Sequence, residues 1–227
     1  RLGRPGAGPM TTVEVGGALL QLLAGKAAWC PAERTLLLAD AHIGKAVSFR
    51  RLGVPVPEAT TAGNLDALDA LLAAHEARRI VFLGDLLHSR HAHEAQTLAA
   101  FARWRDGREA LELVLVRGNH DDRAGDPPPA WGMHCVDEPW FLPSAPGLAL
   151  CHRPQPRAGT HVLGGHVHPC THVGRGFERL RLPCFHFGAR VGVLPAFGAF
   201  TGMHPIEFVP GDRVFVVADN AVRELPS

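Results

Sequence analysis

An α/β fold is what this sequence predicts, and three observations predict it. Short apolar runs recur along the chain and close on glycine or on a metal-type residue: TLLLAD, RIVFLGD, LVLVRGNHD, LALCH and THVLGGH. Two stretches at helical spacing separate the first three of those runs. The second half carries strand-like runs with few helical patterns, so each half could supply one sheet of a sandwich.

The elements follow in order. The runs Thr12–Val15 and Leu19–Leu23 flank Gly16-Gly17 and read as a hairpin. Thr35–Ala39 is an apolar run ending at Asp40, consistent with a strand buried on both faces. From Glu58 to about Arg78 a helix is expected, because Leu65, Leu68, Leu71 and Leu72 recur at helical spacing with Asp66 and Asp69 between them. Arg79–Leu83 is the next strand, ending at Gly84-Asp85. A second helix is expected from His93 to about Arg105, with Leu98, Phe101 and Ala102 or Trp104 inward. Leu111–Val116 returns as a strand and ends at Arg117-Gly118-Asn119. After Pro127-Pro128-Pro129 the expected strands are Leu148–Cys151, His161–Leu163, Gly176–Leu182, Val191–Leu194, Ile206–Val209 and Val214–Val217. The length suits a single domain over residues 11–227. Residues 1–10, rich in glycine, proline and arginine, read as a disordered leader or a cloning remnant.

Bulk properties narrow the function. Hydrophobic residues make up 46% and charged residues 20%, ordinary values for a soluble globular protein. The formal net charge of +1 gives no global field for nucleic acid, so any basic footprint must be local. The five cysteines are odd in number and form no C-x-x-C pair, which fits reduced thiols and a cytoplasmic location. Ala18–Gly25 is interrupted by Gln21 and does not read as a signal peptide, and no apolar run approaches a membrane span.

The apolar runs deliver ligand-type residues to strand ends, where α/β sheets bind their ligands. Asp40, His42, Asp85, Asn119, His152, His166 and His168 are the candidate metal ligands. They suffice for two divalent cations, with Asp85 as the candidate bridge. Two metals roughly 3.5–4 Å apart hold a hydroxide for attack on phosphorus and clamp the phosphate oxygens. His120 follows a ligand and suits a general acid or transition-state stabiliser, with Asp121 expected to orient its ring. Oxygen and nitrogen donors without thiolate disfavour a structural zinc site. Several imidazoles favour Mn2+ over Mg2+, with iron and zinc also chemically acceptable.

The ordered set ADAHIGK, LGDLLH, RGNHDD, LCHRP and GGHVHP resembles the calcineurin-like metallophosphoesterase superfamily. The resemblance implies a four-layer α-β-β-α sandwich, with two sheets face to face and helices outside. It places one metal on Asp40, His42, Asp85 and His168, and the other on Asp85, Asn119, His152 and His166. With VSFRRLGVPVP, GDLLHSR and PCFHFGARVGVLPAFGAFTG, the chain is also similar to the ligase-associated DNA damage response endonuclease (PdeM-type) group. That similarity implies a manganese-dependent phosphodiesterase acting on DNA in repair, associated with a DNA ligase, a helicase and an exonuclease. One departure stands out: His88 occupies the position where many superfamily members carry a second aspartate. His88 and Arg90 are therefore the candidate substrate-binding residues, Arg90 because its planar fork suits phosphate. His91 and His93 read as solvent-facing. Arg50-Arg51 and Arg175, Arg179 and Arg181 read as solvated faces, and Val191–Gly202 as packing near the site.

Overall fold

The computed structural model describes residues 11–45, 60–87, 95–174, 179–199 and 201–226. The first sheet has the order β1 (Thr12–Val15), β2 (Ala18–Leu23), β3 (Ala27–Cys30), β4 (Thr35–Ala39), β5 (Arg79–Leu83), β6 (Glu112–Val116) and β7 (Met133–Val136). It is antiparallel from β1 to β4 and parallel from β4 to β7. The parallel strands follow from the sequence: β4, β5 and β6 carry Leu, Ile, Val and Phe on both faces, as doubly covered strands do. Helices α1 (Thr60–Ala74) and α2 (Ala95–Arg105) make two of the crossovers that parallel pairing requires.

The second sheet runs β14 (His204–Pro205), β11 (Pro169–Val173), β12 (Leu180–Phe187), β13 (Val191–Val193), β10 (His161–Gly164), β9 (Ala145–Leu150) and β8 (Trp140–Leu142). Strand β15 (Arg213–Ala218) also pairs with β12, and β16 (Ala221–Glu224) pairs with β15. Strands β9, β10 and β13 are mutually parallel.

Alternation along the strands builds two cores. Leu37, Ala39, Val81, Leu83, Val114 and Val116 of the first sheet meet Leu148, Leu150, Leu163, Phe185 and Phe215 of the second. On the opposite face of the first sheet, Leu36, Leu38, Ile80, Phe82 and Leu113 lie under Leu65, Leu68 and Leu71 of α1 and Phe101 and Trp104 of α2. Asp69 joins the two helices, accepting from Trp104 Nε1 at 2.8 Å and Arg108 Nη2 at 2.9 Å. The two sheets therefore form the expected sandwich, and both long helices among the described residues cover the first sheet.

Several boundaries differ from the sequence reading. Helix α1 ends at Ala74, not near Arg78, because Arg78 N turns to donate to Arg34 O. Ile206–Val209 is not a strand; only His204–Pro205 pairs, beside β11. Strand β12 begins at Leu180, and residues 175–178 lie outside the described residues. Strands β3, β7, β8 and β11 carry no apolar run long enough to announce them.

Lys26, in the turn between β2 and β3, reaches Gly198 O at 3.5 Å. Burial pushes its ammonium down to about 8 from 10.5. Between those values the unfolded chain binds the proton more tightly than the native state, so this cost to stability is full below about 8 and is relieved as pH rises. Lys26→Met should therefore raise Tm near neutral pH. In thermal melts across pH the gain should shrink in alkaline buffer; a constant gain would contradict the burial argument.

Candidate metal centre

The ligand-type residues come from the carboxyl ends of strands in both sheets. Asp40 follows β4, Asp85 follows β5, Asn119 and His120 follow β6, His152 follows β9, and His166 and His168 follow β10. Parallel pairing of β4, β5 and β6 puts three of these ends side by side, and β9 and β10 supply the facing edge. Two groups result. Ligand atoms of Asp40, His42 and His168 lie within 4.8 Å of one another, and so do those of Asp85, His152 and His166. Asp85 falls in the second group alone, and the first group holds Asp40, His42 and His168.

The histidines are oriented from behind. His152 Nδ1 faces Leu83 O at 3.1 Å and His168 Nδ1 faces Gly202 O at 3.0 Å. Each Nδ1–H donates to a carbonyl, which leaves the Nε2 lone pair pointing into the site. The Nε2 lone pair of His152 then meets Asn119 Oδ1 at 3.0 Å, and Asp85 Oδ1 is 3.5 Å away. Acceptors facing acceptors repel unless a cation stands among them. His42 Nε2 lies 3.4 Å from the inward-facing His168 Nε2. Asp40 Oδ1 is buried without a hydrogen bond, 3.6 Å from His168 Nε2. An orphaned carboxylate oxygen beside inward lone pairs fits a divalent cation with oxygen and nitrogen donors. Burial, reinforced by the neighbouring His152, pushes His166 below the usual imidazole range, which favours its neutral, ligating form.

Backbone geometry marks the same residues. Asp40, His42, Asp85, His166 and His168 all have φ between 45° and 68°. Left-handed conformations at non-glycine residues cost roughly 1–3 kcal/mol each and persist where the surroundings enforce them. Here the enforcement is visible: His42 N donates to Asp85 O at 2.9 Å, and His166 N donates to Asp40 Oδ2 at 2.8 Å. Two glycines permit the crowding. A Cβ on Gly84 (φ +75°) would lie 2.2 Å from His152 Nδ1, and one on Gly118 would lie 2.4 Å from Asp85 Oδ1.

His120 stands at the mouth between the groups. Its ring lies 5.4 Å from that of His42, and its Nε2 is 3.9 Å from Asp85 Oδ2. Its backbone N–H donates to Asp85 Oδ1 at 2.9 Å. Asp121 corrects the sequence expectation that it orients His120. Its Oδ1 accepts from Leu86 N and Leu87 N at 3.0 and 3.3 Å, and its Oδ2 accepts from Gly118 N at 2.9 Å. The carboxylate thus pins the loop after β5 to the start of α3 (Asn119–Ala124). Burial and the nearby Asp85 push Asp121 up to about 6, even though the Gly118 and Leu87 amides hold it down. His88 and Arg90 lie outside the described residues, as do Arg50, Arg51, His91, His93 and Arg175.

Three residues escaped the sequence reading. Asn64 is buried and ties the loop after β4 to the segment after β13, donating to Ala41 O at 3.2 Å and accepting from Ala199 N at 3.0 Å. Lys45 is buried; desolvation pushes its ammonium down while the charges of Asp40 and Asp85 pull it back up. Glu138 Oε2 accepts from His152 N and Arg153 N at 2.8 and 3.0 Å, holding the turn that presents His152. The Val191–Gly202 segment packs against the site as expected: Phe197 N donates to Ala39 O and Gly198 N to Asp40 O.

Two face-to-face sheets with carboxylate and imidazole groups gathered at one shared edge define a metal-dependent phosphoesterase. The chain belongs to the calcineurin-like phosphoesterase family, which it matches over residues 33–154. Among solved structures it is similar to Pseudomonas putida nuclease MPE, with 43% identity and a TM-score of 0.84 over 95% of this chain and 100% of that one. It also aligns with Yfce, a phosphoesterase from E. coli, at 13% identity and a TM-score of 0.40, over 84% of this chain and 97% of that one. No curated protein matches it.

Proposed function

We propose that this protein is a two-metal phosphodiesterase that cleaves DNA as an endonuclease in repair. Mn2+ is the proposed ion, and association with a DNA ligase, a helicase and an exonuclease in the cytoplasm is the proposed setting. The observation that carries the reading is the pair of adjoining ligand groups, Asp40–His42–His168 and Asp85–His152–His166, with His120 at their common mouth. Similarity to a nuclease at 43% identity supports nucleic acid as the substrate.

Asp40, His42 and His168, with Asp85 shared, would hold one ion; Asp85, Asn119, His152 and His166 would hold the other. When bound, the ions supply Lewis acidity and a nucleophile derived from water near neutral pH. The chain's own residues do the rest. Leu83 O and Gly202 O fix the rings of His152 and His168, so the ligand geometry is set before substrate arrives. His120 delivers a proton to the leaving oxygen as the P–O bond breaks, with its Nε2 3.9 Å from Asp85 Oδ2.

A panel of manganese-loaded protein on bis-aryl phosphate, mono-aryl phosphate and supercoiled plasmid tests this. The diester should be preferred to the monoester, and the plasmid should be nicked. A strong preference for the monoester, without nicking, would point instead to a small-molecule phosphoesterase.

A further inference from the structure

A polar recess of about 180 Å³ opens directly from the second ligand group. Asn119 and His152 belong to both, and Arg117, Gly118, Asp122, Asp137, Glu138 and Arg153 complete its wall. Most of its charges are already matched. Arg117 forks onto Asp126 at 2.8 Å and onto Asp137 at 2.9 Å. Glu138 is engaged by the His152 and Arg153 amides and faces Arg157 at 3.6 Å. Asp122 is exposed in the first turn of α3.

Arg153 is different. Its backbone is fixed by Glu138, yet its exposed guanidinium meets no described carboxylate. An anchored arginine with a free fork, next to a recess continuous with the metal ligands, is suited to a second anion close to the reacting one. A phosphomonoester offers no such group. A nucleic acid strand offers one at every neighbouring nucleotide.

We infer that Arg153 is a specificity-determining residue that holds the phosphate flanking the scissile one, with the intervening nucleotide running along the recess. This rests on the proposed action on DNA. A substrate phosphate spanning the two groups has one ester arm at His120 and a second free to enter the recess beside Asn119 and His152. Glu138 serves this arrangement twice, because one carboxylate oxygen positions both the ligand His152 and the phosphate-holding Arg153.

The test uses wild type, Arg153→Ala and Arg153→Lys with a fluorescein-labelled single-stranded DNA oligonucleotide. Equilibrium binding in Ca2+ is measured by anisotropy against salt, and kcat/KM is measured in Mn2+ on the oligonucleotide and on bis-aryl phosphate. Losing one phosphate contact should reduce the slope of log affinity against log salt by about 0.7. It should lower the oligonucleotide-to-aryl ratio of kcat/KM about 10-fold, mainly through KM. Arg153→Lys, which keeps the charge without the fork, should restore the slope and part of the ratio. If wild type cleaves DNA while Arg153→Ala leaves slope and ratio unchanged, the assignment of Arg153 is overturned and the nuclease reading stands. If wild type hydrolyses the aryl diester but neither binds nor cleaves DNA, both are overturned.

Discussion

Replacing Asp85 by Asn should abolish turnover, lowering kcat by about 10³ or more, while leaving the fold intact. The side chain is buried and every close partner belongs to the site: His120 N at 2.9 Å, His152 Nε2 at 3.5 Å and His120 Nε2 at 3.9 Å. Asparagine keeps the shape but removes the negative charge and turns one acceptor into a donor. Several kcal/mol of metal-dependent transition-state stabilisation would be lost, at about 1.36 kcal/mol per tenfold in rate. The stability readout separates this from simple misfolding. Asp85 lies close enough to Asp121 to raise its pKa, so neutralising it relieves repulsion when no ion is bound. The metal-free variant should melt no lower than wild type, and the Tm gain that Mn2+ gives wild type should disappear. Stabilisation by a ligand follows from its preferential binding to the folded state, so losing that gain reports loss of the site itself. Unchanged turnover would place the activity elsewhere.

His120→Asn should act differently. It should lower kcat on DNA by about 10²–10⁴, the usual range for a positioned general acid, and leave Mn2+ stabilisation in place. DNA cleavage expels a poor alkoxide leaving group that needs the proton. An aryl phosphate expels a stabilised phenolate that scarcely does. The variant should therefore lose much less activity on bis-aryl phosphate than on DNA. Equal losses on both substrates would make His120 an electrostatic stabiliser and not a proton donor.

The candidate ligands are legible in the sequence because parallel strands leave a simple signature. Residues such as Leu36–Leu38 and Val81–Leu83 are apolar on both faces, so the polar residue that breaks each run marks the strand's carboxyl end. That pattern puts Asp40, Asp85 and Asn119 on one edge, where the parallel pairing of β4, β5 and β6 brings them together. Family resemblance implies two ligand sets sharing Asp85; in the structure Asp40, His42 and His168 gather as one group and Asp85, His152 and His166 as another.

What the sequence hid depends on long-range backbone geometry. Asp121 follows His120, and adjacency suggested that it orients the ring; instead its two oxygens cap three backbone amides, Leu86, Leu87 and Gly118. Glu138 and Asn64 lie far from any motif, and their roles exist only because the fold brings His152 N and Ala199 N to them. The left-handed backbone at Asp40, His42, Asp85, His166 and His168 leaves no compositional trace, because glycine, the usual marker, is absent at those positions. Ile206–Val209 reads as a strand because Ile206, Phe208 and Val209 are apolar. Only Ile206 N reaches β11, at Cys170 O, and beyond it Phe208 and Val209 are exposed at 44% and 64%.

The most direct test of a two-ion phosphodiesterase centre is a titration of metal-stripped protein with Mn2+, following bound metal and diester hydrolysis together. Activity should be absent after stripping, rise with bound Mn2+ and level off at two ions per chain, with Asp85→Asn flat throughout. Full activity without added metal, or a plateau at one ion, would contradict it.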